Sequence, residues 1–258
     1  MQVVVLAGGL ATRMRPETEQ TPKSMLLVQG RPFVDWQLDR FAASGARSVI
    51  LCIGYLGEQI EAHVKRALDR GLVVGYSYDG AELVGTGGAL RRAFARLEDE
   101  FVLTYGDSYL PFDYAAPLRD LRAHPDAVAT MSVYKNRGQL GLSNVALDGD
   151  WVAKYEKGGV DADLDCIDYG AIALRRSALA DIEDGAVWGV DALFRKLARK
   201  RQLRAYIAPE RFYEIGSATG RSELERHLAS PAADVTNRYL RDQPILTSPI
   251  ATDVTNRY

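Results

Sequence analysis

The stretch VVVLAGGLATRMRPETEQTPKSM, Val3 to Met25, decides how the rest of the chain is read. Gln2 to Leu6 is a short apolar run rich in valine, the pattern of a strand buried on both faces. It stops at Gly8 and Gly9, which lack Cβ atoms and let backbone N–H groups approach an anion. Arg13 and Arg15 can add charge-assisted, partly bidentate bonds to phosphate oxygens. Lys23 adds a compact point charge on backbone stiffened by Pro22. Bare backbone followed by this much local positive charge suits a triphosphate.

The fixed-spacing phosphate motifs do not fit. A Walker loop places its lysine directly after the second glycine, and Lys23 lies too far from Gly8 and Gly9. Gly85-Thr86-Gly87 begins a dinucleotide fingerprint, but Leu90 stands where the third glycine belongs. That counts against a dinucleotide-binding oxidoreductase.

Working outward, strands and helices alternate through the first half. Strands are expected at Gln2–Leu6, Ser48–Ile53, Leu72–Tyr78 and Phe101–Tyr105. Helices are expected at Pro32–Ser44 with Gly45 past the end, at Leu56–Arg70 closed by Gly71, and at Gly88–Leu97. Continuous apolar strands alternating with helices imply a parallel sheet covered on both faces. Ligands of such sheets bind beyond the carboxyl ends of the strands, so the loops after Leu6, Tyr78 and Tyr105 should share one rim. The second half reads as strands at Ala127–Val133, Cys166–Leu174 and Leu203–Ile207. It adds a hairpin over Asn144–Glu156 about Asp148-Gly149, and a helix at Gly189–Arg201. These antiparallel pieces are expected to mix into the sheet, as a lid over the rim.

The fold class is therefore α/β, a Rossmann-like, mostly parallel sheet with helices on both faces and a mixed antiparallel second lobe. One domain over 1–228 is expected, with lobes at about 1–110 and 111–228. The tail, 229–258, carries DVTNRY twice, at Asp234–Tyr239 and Asp253–Tyr258. Two copies are too few for a solenoid, and a duplicated tail is the simpler reading.

Across 258 residues the net charge is −2, so no global basic field points to nucleic acid or an anionic membrane. No run is long and apolar enough to span a bilayer, and the N-terminus lacks a signal-peptide pattern. A cytoplasmic protein is expected, with neither nucleic acid nor membrane as partner. Cys52 and Cys166 sit in apolar runs and read as core. His63, His124 and His227 show no ligand spacing, so no zinc site is expected. Trp36 and Trp151 read as packing. By itself Asp107, at a strand end, fits an ordinary turn residue as well as a ligand. Glu156-Lys157 equally fits a solvated pair, and Glu214 a surface strand.

The residues Leu6 to Met25 resemble the signature of the sugar-1-phosphate nucleotidyltransferases, L-A-[GA]-G-x-G-T-R-[ML]-x-P-x-T-x-x-x-P-K-x-[ML]. Ala11 departs from it, standing where that family usually has glycine. Further likenesses follow in order, and the resemblance spans about Met1 to Leu228. LVGTGGAL (Leu83–Leu90) resembles the base-binding loop, YGDSYL (Tyr105–Leu110) the metal-binding G-D motif, and YEKGG (Tyr155–Gly159) the E-K motif. DYGAIAL (Asp168–Leu174) resembles the strand that closes over the sugar, with Asp168 in place of asparagine. FYEIGSATG (Phe212–Gly220) resembles the second metal motif, with Glu214 in place of aspartate.

What the resemblance implies is a magnesium-dependent enzyme of the nucleotide-diphospho-sugar transferase fold. Leu6, Ala7, Gly8, Gly9, Leu10, Arg13 and Lys23 would bind the nucleotide, with Gly85, Thr86, Gly87 and Gly88 at the base. Arg13, Lys23 and Asp107 would be catalytic, and Asp107 and Glu214 would hold magnesium. Asn144, Glu156, Lys157, Asp168 and Gly170 would bind the sugar phosphate, and Asp168 should disfavour acidic sugars. The partners are then a nucleoside triphosphate and a sugar 1-phosphate, with a homodimer compatible. GTGGAL leans toward GTP with heptose or mannose 1-phosphate. CTP or UTP, a phosphocholine or phosphonate acceptor, and a regulatory homologue that has lost turnover stay open. No hexapeptide repeats follow, so acyltransferase activity is not expected.

Overall fold

A computed structural model describes residues 1–66, 70–80, 84–158, 163–180 and 182–230. Both DVTNRY copies, Leu83 and Gly159 lie outside the described residues, as does the expected helix beyond Arg66 up to residue 69.

The first half alternates as expected. β1 (Gln2–Leu6) leads into two short strands, β2 (Leu27–Val28) and β3 (Arg31–Pro32), which pair with each other. Then come α1 (Phe33–Ala43), β4 (Ser48–Ile53), α2 (Gly57–Arg66), β5 (Val73–Tyr78), α3 (Gly85–Arg92) and β6 (Glu100–Tyr105). α1 stops at Gly45, whose φ of +77° a side chain would disfavour. α3 begins three residues earlier than its sequence suggests. Glycine is a poor helix former, by about 1 kcal/mol relative to alanine. Here packing against a distant segment overrides that penalty.

The second half holds β7 (Ser108–Tyr109), α4 (Ala116–Ala123), β8 (Ala129–Lys135), β9 (Val145–Asp148), β10 (Trp151–Tyr155) and β11 (Cys166–Arg175). It closes with α5 (Val190–Arg199), β12 (Leu203–Ile207), β13 (Tyr213–Glu214) and α6 (Ala218–Leu228). The hairpin turns at Gly149, with φ of +57°. α4 and α6 are not anticipated from the sequence. Yet α4 carries Pro117 in its first turn, and the Ser217 hydroxyl caps α6 by accepting the Gly220 N–H at 3.0 Å.

One nine-stranded sheet runs in the order β5-β4-β1-β6-β11-β8-β12-β10-β9. β5, β4, β1 and β6 are mutually parallel. β11 enters antiparallel between β6 and β8, and β12 lies parallel to β8. The antiparallel pieces are thus mixed into the sheet, as expected. These strands extend the sheet, because β11 is buried along most of its length and needs a neighbour on each side.

Alternation along β1 sends Val3 and Val5 to one face and Val4 and Leu6 to the other. The first face is covered by α1, α2 and α4 through Leu38, Phe41, Ile60, Val64 and Leu121. The second is covered by α3 and α5 through Leu90, Leu193, Phe194 and Leu197. A smaller cluster of Met14, Leu26, Phe33, Tyr109, Ile215 and Leu224 sits under the loop after β1 and fastens α6 to it. Among the described residues, no helix is long and apolar enough to cross a membrane.

Candidate active site

The carboxyl ends of β1, β5 and β6 open into one cleft of about 520 Å³. The shared rim expected from the sequence is thus present. The strand ends are drawn together by backbone bonds: Ala7 N–H donates to Cys52 O at 2.8 Å, and Gly106 N–H to Leu6 O at 2.9 Å. Leu6 through Met14, Lys23, Gly85, Thr86, Asp107 and Gly216 line the cleft, but Arg15 does not.

Ala11 sits in the left-handed region, at φ 48° and ψ 40°. Its carbonyl accepts the Thr18 hydroxyl at 2.9 Å, which holds the turn carrying Arg13. The Lys23 ammonium lies 2.5 Å from Asp107 Oδ2. Two buried contacts fix that pair. The Ser24 hydroxyl donates to Gly106 O at 3.0 Å, and the Gln37 amide donates to Tyr105 O at 2.8 Å and Ser108 O at 2.9 Å. Neither Ser24 nor Gln37 stands out in the sequence, since both act only through long-range contacts.

β13 pairs with β7, which sets Glu214 opposite Ser108, and Ile215 N–H donates to Asp107 O at 3.0 Å. Glu214 is exposed and does not line the cleft, yet partial desolvation by the surrounding protein, and then the neighbouring Asp107 carboxylate, push its carboxyl above the ordinary carboxylate range. Gly216 covers this floor. A Cβ there would come 3.2 Å from Lys23 Nζ and 3.7 Å from an Arg13 guanidinium nitrogen.

At the other end of the cleft, after β5, lies Asp79, which sequence reading missed although it directly follows an expected strand. It is 6% exposed and lines the cleft. Burial pushes its carboxyl up, partly countered by Arg92. Gly8 is bare because of it: a Cβ on Gly8 would fall on the Asp79 carboxylate. Strand order places Asp79 and Asp107 three strand spacings apart, about 14 Å.

Gly87 and Gly88 are the other two residues expected at the base. Neither lines the cleft; Gly87 is packed against the Trp188 ring and Gly88 against the Ala186 carbonyl.

On the far side of Tyr105, a register shift in β11 between Asp168 and Ile172, with Gly170 at φ +89°, turns Asp168 inward. Asp168 Oδ2 accepts the hydroxyls of Tyr155 at 3.2 Å and Tyr105 at 3.4 Å, and Oδ1 accepts Gly170 N–H at 2.9 Å. Burial pushes the Asp168 carboxyl up against the pull of these donors. Asn144 braces the site by accepting the Asp168 N–H at 2.8 Å. Glu156 and Lys157 are exposed past the end of β10, and Glu156 pairs with Lys154 at 3.5 Å. Neither lines the cleft, although the Lys157 charge acts on Asp168.

Known proteins share this architecture. The profile of the MobA-like NTP transferase domain matches residues 3–211. The N-acetylmuramate alpha-1-phosphate uridylyltransferase of Caulobacter vibrioides is 26% identical over 236 residues, covering 88% of this chain and 96% of that protein. Its Neisseria meningitidis namesake is 30% identical over 130 residues, which span 50% of this chain and 56% of that protein. The D-glycero-alpha-D-manno-heptose 1-phosphate guanylyltransferase of Campylobacter jejuni is 25% identical over 217 residues, covering 84% and 95%. The crystal structure of HddC from Yersinia pseudotuberculosis complexed with GMP-PN superposes with a TM-score of 0.74 at 22% identity, covering 88% of this chain and 99% of that one. With the glycine- and arginine-bearing loop, the shared rim and the match over residues 3–211 in place, the chain belongs to the MobA-like NTP transferase family.

Proposed function

We propose that the protein joins a nucleoside triphosphate to a sugar 1-phosphate, releasing pyrophosphate, and that its nucleotide is GTP with heptose or mannose 1-phosphate as acceptor. The reaction class is supported by the relatives named above and by the cationic end of the cleft. A phosphate monoester oxygen of the sugar attacks the α-phosphorus, and pyrophosphate leaves in line. Such a nucleophile needs no covalent enzyme intermediate, so catalysis is positioning and charge neutralisation. The N–H groups of the Gly8-Gly9 turn and Arg13 hold the triphosphate, and Lys23 offsets charge at the α-phosphate. Gly216, lacking a side chain, leaves room for phosphate above Lys23 and Arg13.

Magnesium fits these residues. The described residues hold no cluster of three His, Cys, Asp or Glu side chains, and magnesium commonly takes one or two carboxylates and completes its shell with water and phosphate oxygens. Asp107 and Glu214 are the two carboxylates, and their mutual repulsion is what a dication relieves. Bound there, the ion would neutralise phosphate charge. Lys23 must first leave Asp107 Oδ2.

The observation that carries the guanine reading is Asp79. Its carboxylate lines the cleft and, when ionised, accepts and never donates. Guanine offers two adjacent donors on its Watson–Crick edge, N1–H and the N2 amino group, which match two carboxylate oxygens. Uracil offers one N–H between two carbonyls, which a carboxylate repels. Sites built on buried hydrogen bonds discriminate strongly between such edges. The acceptor-rich Asp168 side supports a neutral, hydroxyl-bearing sugar over a carboxylated one.

Pyrophosphate release with magnesium, measured for four nucleoside triphosphates against a panel of neutral and acidic sugar 1-phosphates, tests the reading. Release requiring GTP and a neutral sugar phosphate is expected. Preference for UTP with N-acetylmuramate 1-phosphate would refute the finer reading, and nucleotide binding without release for any pair would refute the enzyme.

A further inference from the structure

The loop from Ala186 to Val190, more than a hundred residues after the first glycines of α3 in sequence, lies directly on that helix start. Two backbone bonds and one to a side-chain hydroxyl join them. Gly87 N–H donates to Trp188 O at 3.0 Å, Trp188 N–H to Val84 O at 3.1 Å, and Val190 N–H to Thr86 Oγ1 at 2.9 Å. The side chain completes the fit: a Cβ on Gly87 would lie 2.6 Å from the Trp188 ring.

The first turn of a helix carries N–H groups with no partner inside the helix. α3 has no side-chain cap at Val84, and Trp188 O supplies the partner for one of those groups. Gly85 and Thr86, the neighbours it leaves, line the cleft. The strap therefore decides which way the helix start faces. The Trp188 indole nitrogen is buried with no hydrogen-bond partner, so the ring is held by its shape against Gly87 and not by a polar anchor. A bulky ring meeting a bare glycine backbone leaves little freedom to either side.

We propose that Trp188 is a positioning residue for the nucleotide, holding Gly85 and Thr86 in their cleft-facing arrangement without itself touching the substrate. The proposal rests on the nucleotidyltransferase reading, and the glycines at 87 and 88 serve the strap.

Steady-state kinetics of the full chain with magnesium, GTP and mannose 1-phosphate tests it, with Trp188→Ala and Trp188→Phe. Trp188→Ala keeps the strap's backbone bonds and removes the ring. Its KM for GTP should rise about tenfold or more, with its KM for the sugar phosphate within about threefold of wild type. Trp188→Phe, which refills the face of Gly87, should restore the GTP value to within about threefold. GTP should also change the tryptophan emission of the wild type, and Trp188→Phe should abolish that change while Trp36→Phe keeps it. Should Trp188→Ala not fold, Gly87→Ala replaces it, and its raised KM for GTP should fall back when Trp188→Phe is added. An unchanged GTP KM in a folded Trp188→Ala protein would overturn the proposal, as would equal rises for both substrates or failure of phenylalanine to rescue. Wild-type protein that neither binds nor turns over any nucleoside triphosphate would instead overturn the functional reading on which this rests.

Discussion

The ammonium of Lys23 and the carboxylate of Asp107 face each other at 2.5 Å across the floor of the cleft, from segments 84 residues apart. Each neutralises the other. On the proposed function, bound triphosphate would draw Lys23 away and leave Asp107 to hold magnesium. Loss of either partner should cost about 100-fold or more in kcat, the scale seen when one preorganised charge is removed. Lys23→Ala and Asp107→Asn, assayed for pyrophosphate release across a magnesium titration, check this. Excess magnesium should recover part of the Asp107→Asn activity and none of the Lys23→Ala activity.

Asp79 and Gly8 compete for one volume. Gly8→Ala should destabilise the protein by about 1–3 kcal/mol, the range for overpacking. Asp79→Ala should remove most of that penalty when combined with it, giving a strong non-additive coupling. Urea denaturation of the two single variants and the double variant measures it; simple additivity would contradict the close contact.

Ala11 holds a left-handed backbone with a Cβ in place. A β-branched side chain tolerates that region far less well. Ala11→Val should therefore lose about 1–2 kcal/mol in stability, while Ala11→Gly should stay within about 1 kcal/mol of wild type because relief of strain is offset by unfolded-chain entropy. Thermal melts of the three proteins provide the comparison.

Asp168 titrates above the ordinary carboxylate range, because burial penalises its charge more than the Gly170 N–H and the two tyrosine hydroxyls support it. A carboxyl raised on folding stabilises the native state when protonated. That contribution is whole below the unfolded pKa and is lost as pH rises through the folded one. Relative to Asp168→Asn, the wild type should lose stability as pH climbs out of the acidic range. Melting temperatures of both proteins from pH 4 to pH 8 should show the gap moving in favour of the variant. A constant gap would mean that Asp168 does not titrate differently on folding.

The parallel half of the sheet was legible in the chain because buried strands are continuous apolar runs and glycine marks their ends. Gln2–Leu6 and Ser48–Ile53 carry that pattern and form strands with those bounds. α3 was misjudged because local propensity penalises glycine in a helix, while Trp188 supplies the compensation from a hundred residues away.

By itself the sequence determined that a glycine turn and a run of cations follow the first strand, and that the ends of three strands share a rim. Both follow from short-range chemistry, the lack of a Cβ and the period of a buried strand. Only the tertiary structure decided which groups meet. It set Lys23 against Asp107, buried the Asp79 carboxylate in the cleft wall, and turned Asp168 inward at a β-bulge. These outcomes depend on strand order and register, which pair residues far apart in the chain, so no local pattern of residues encodes them.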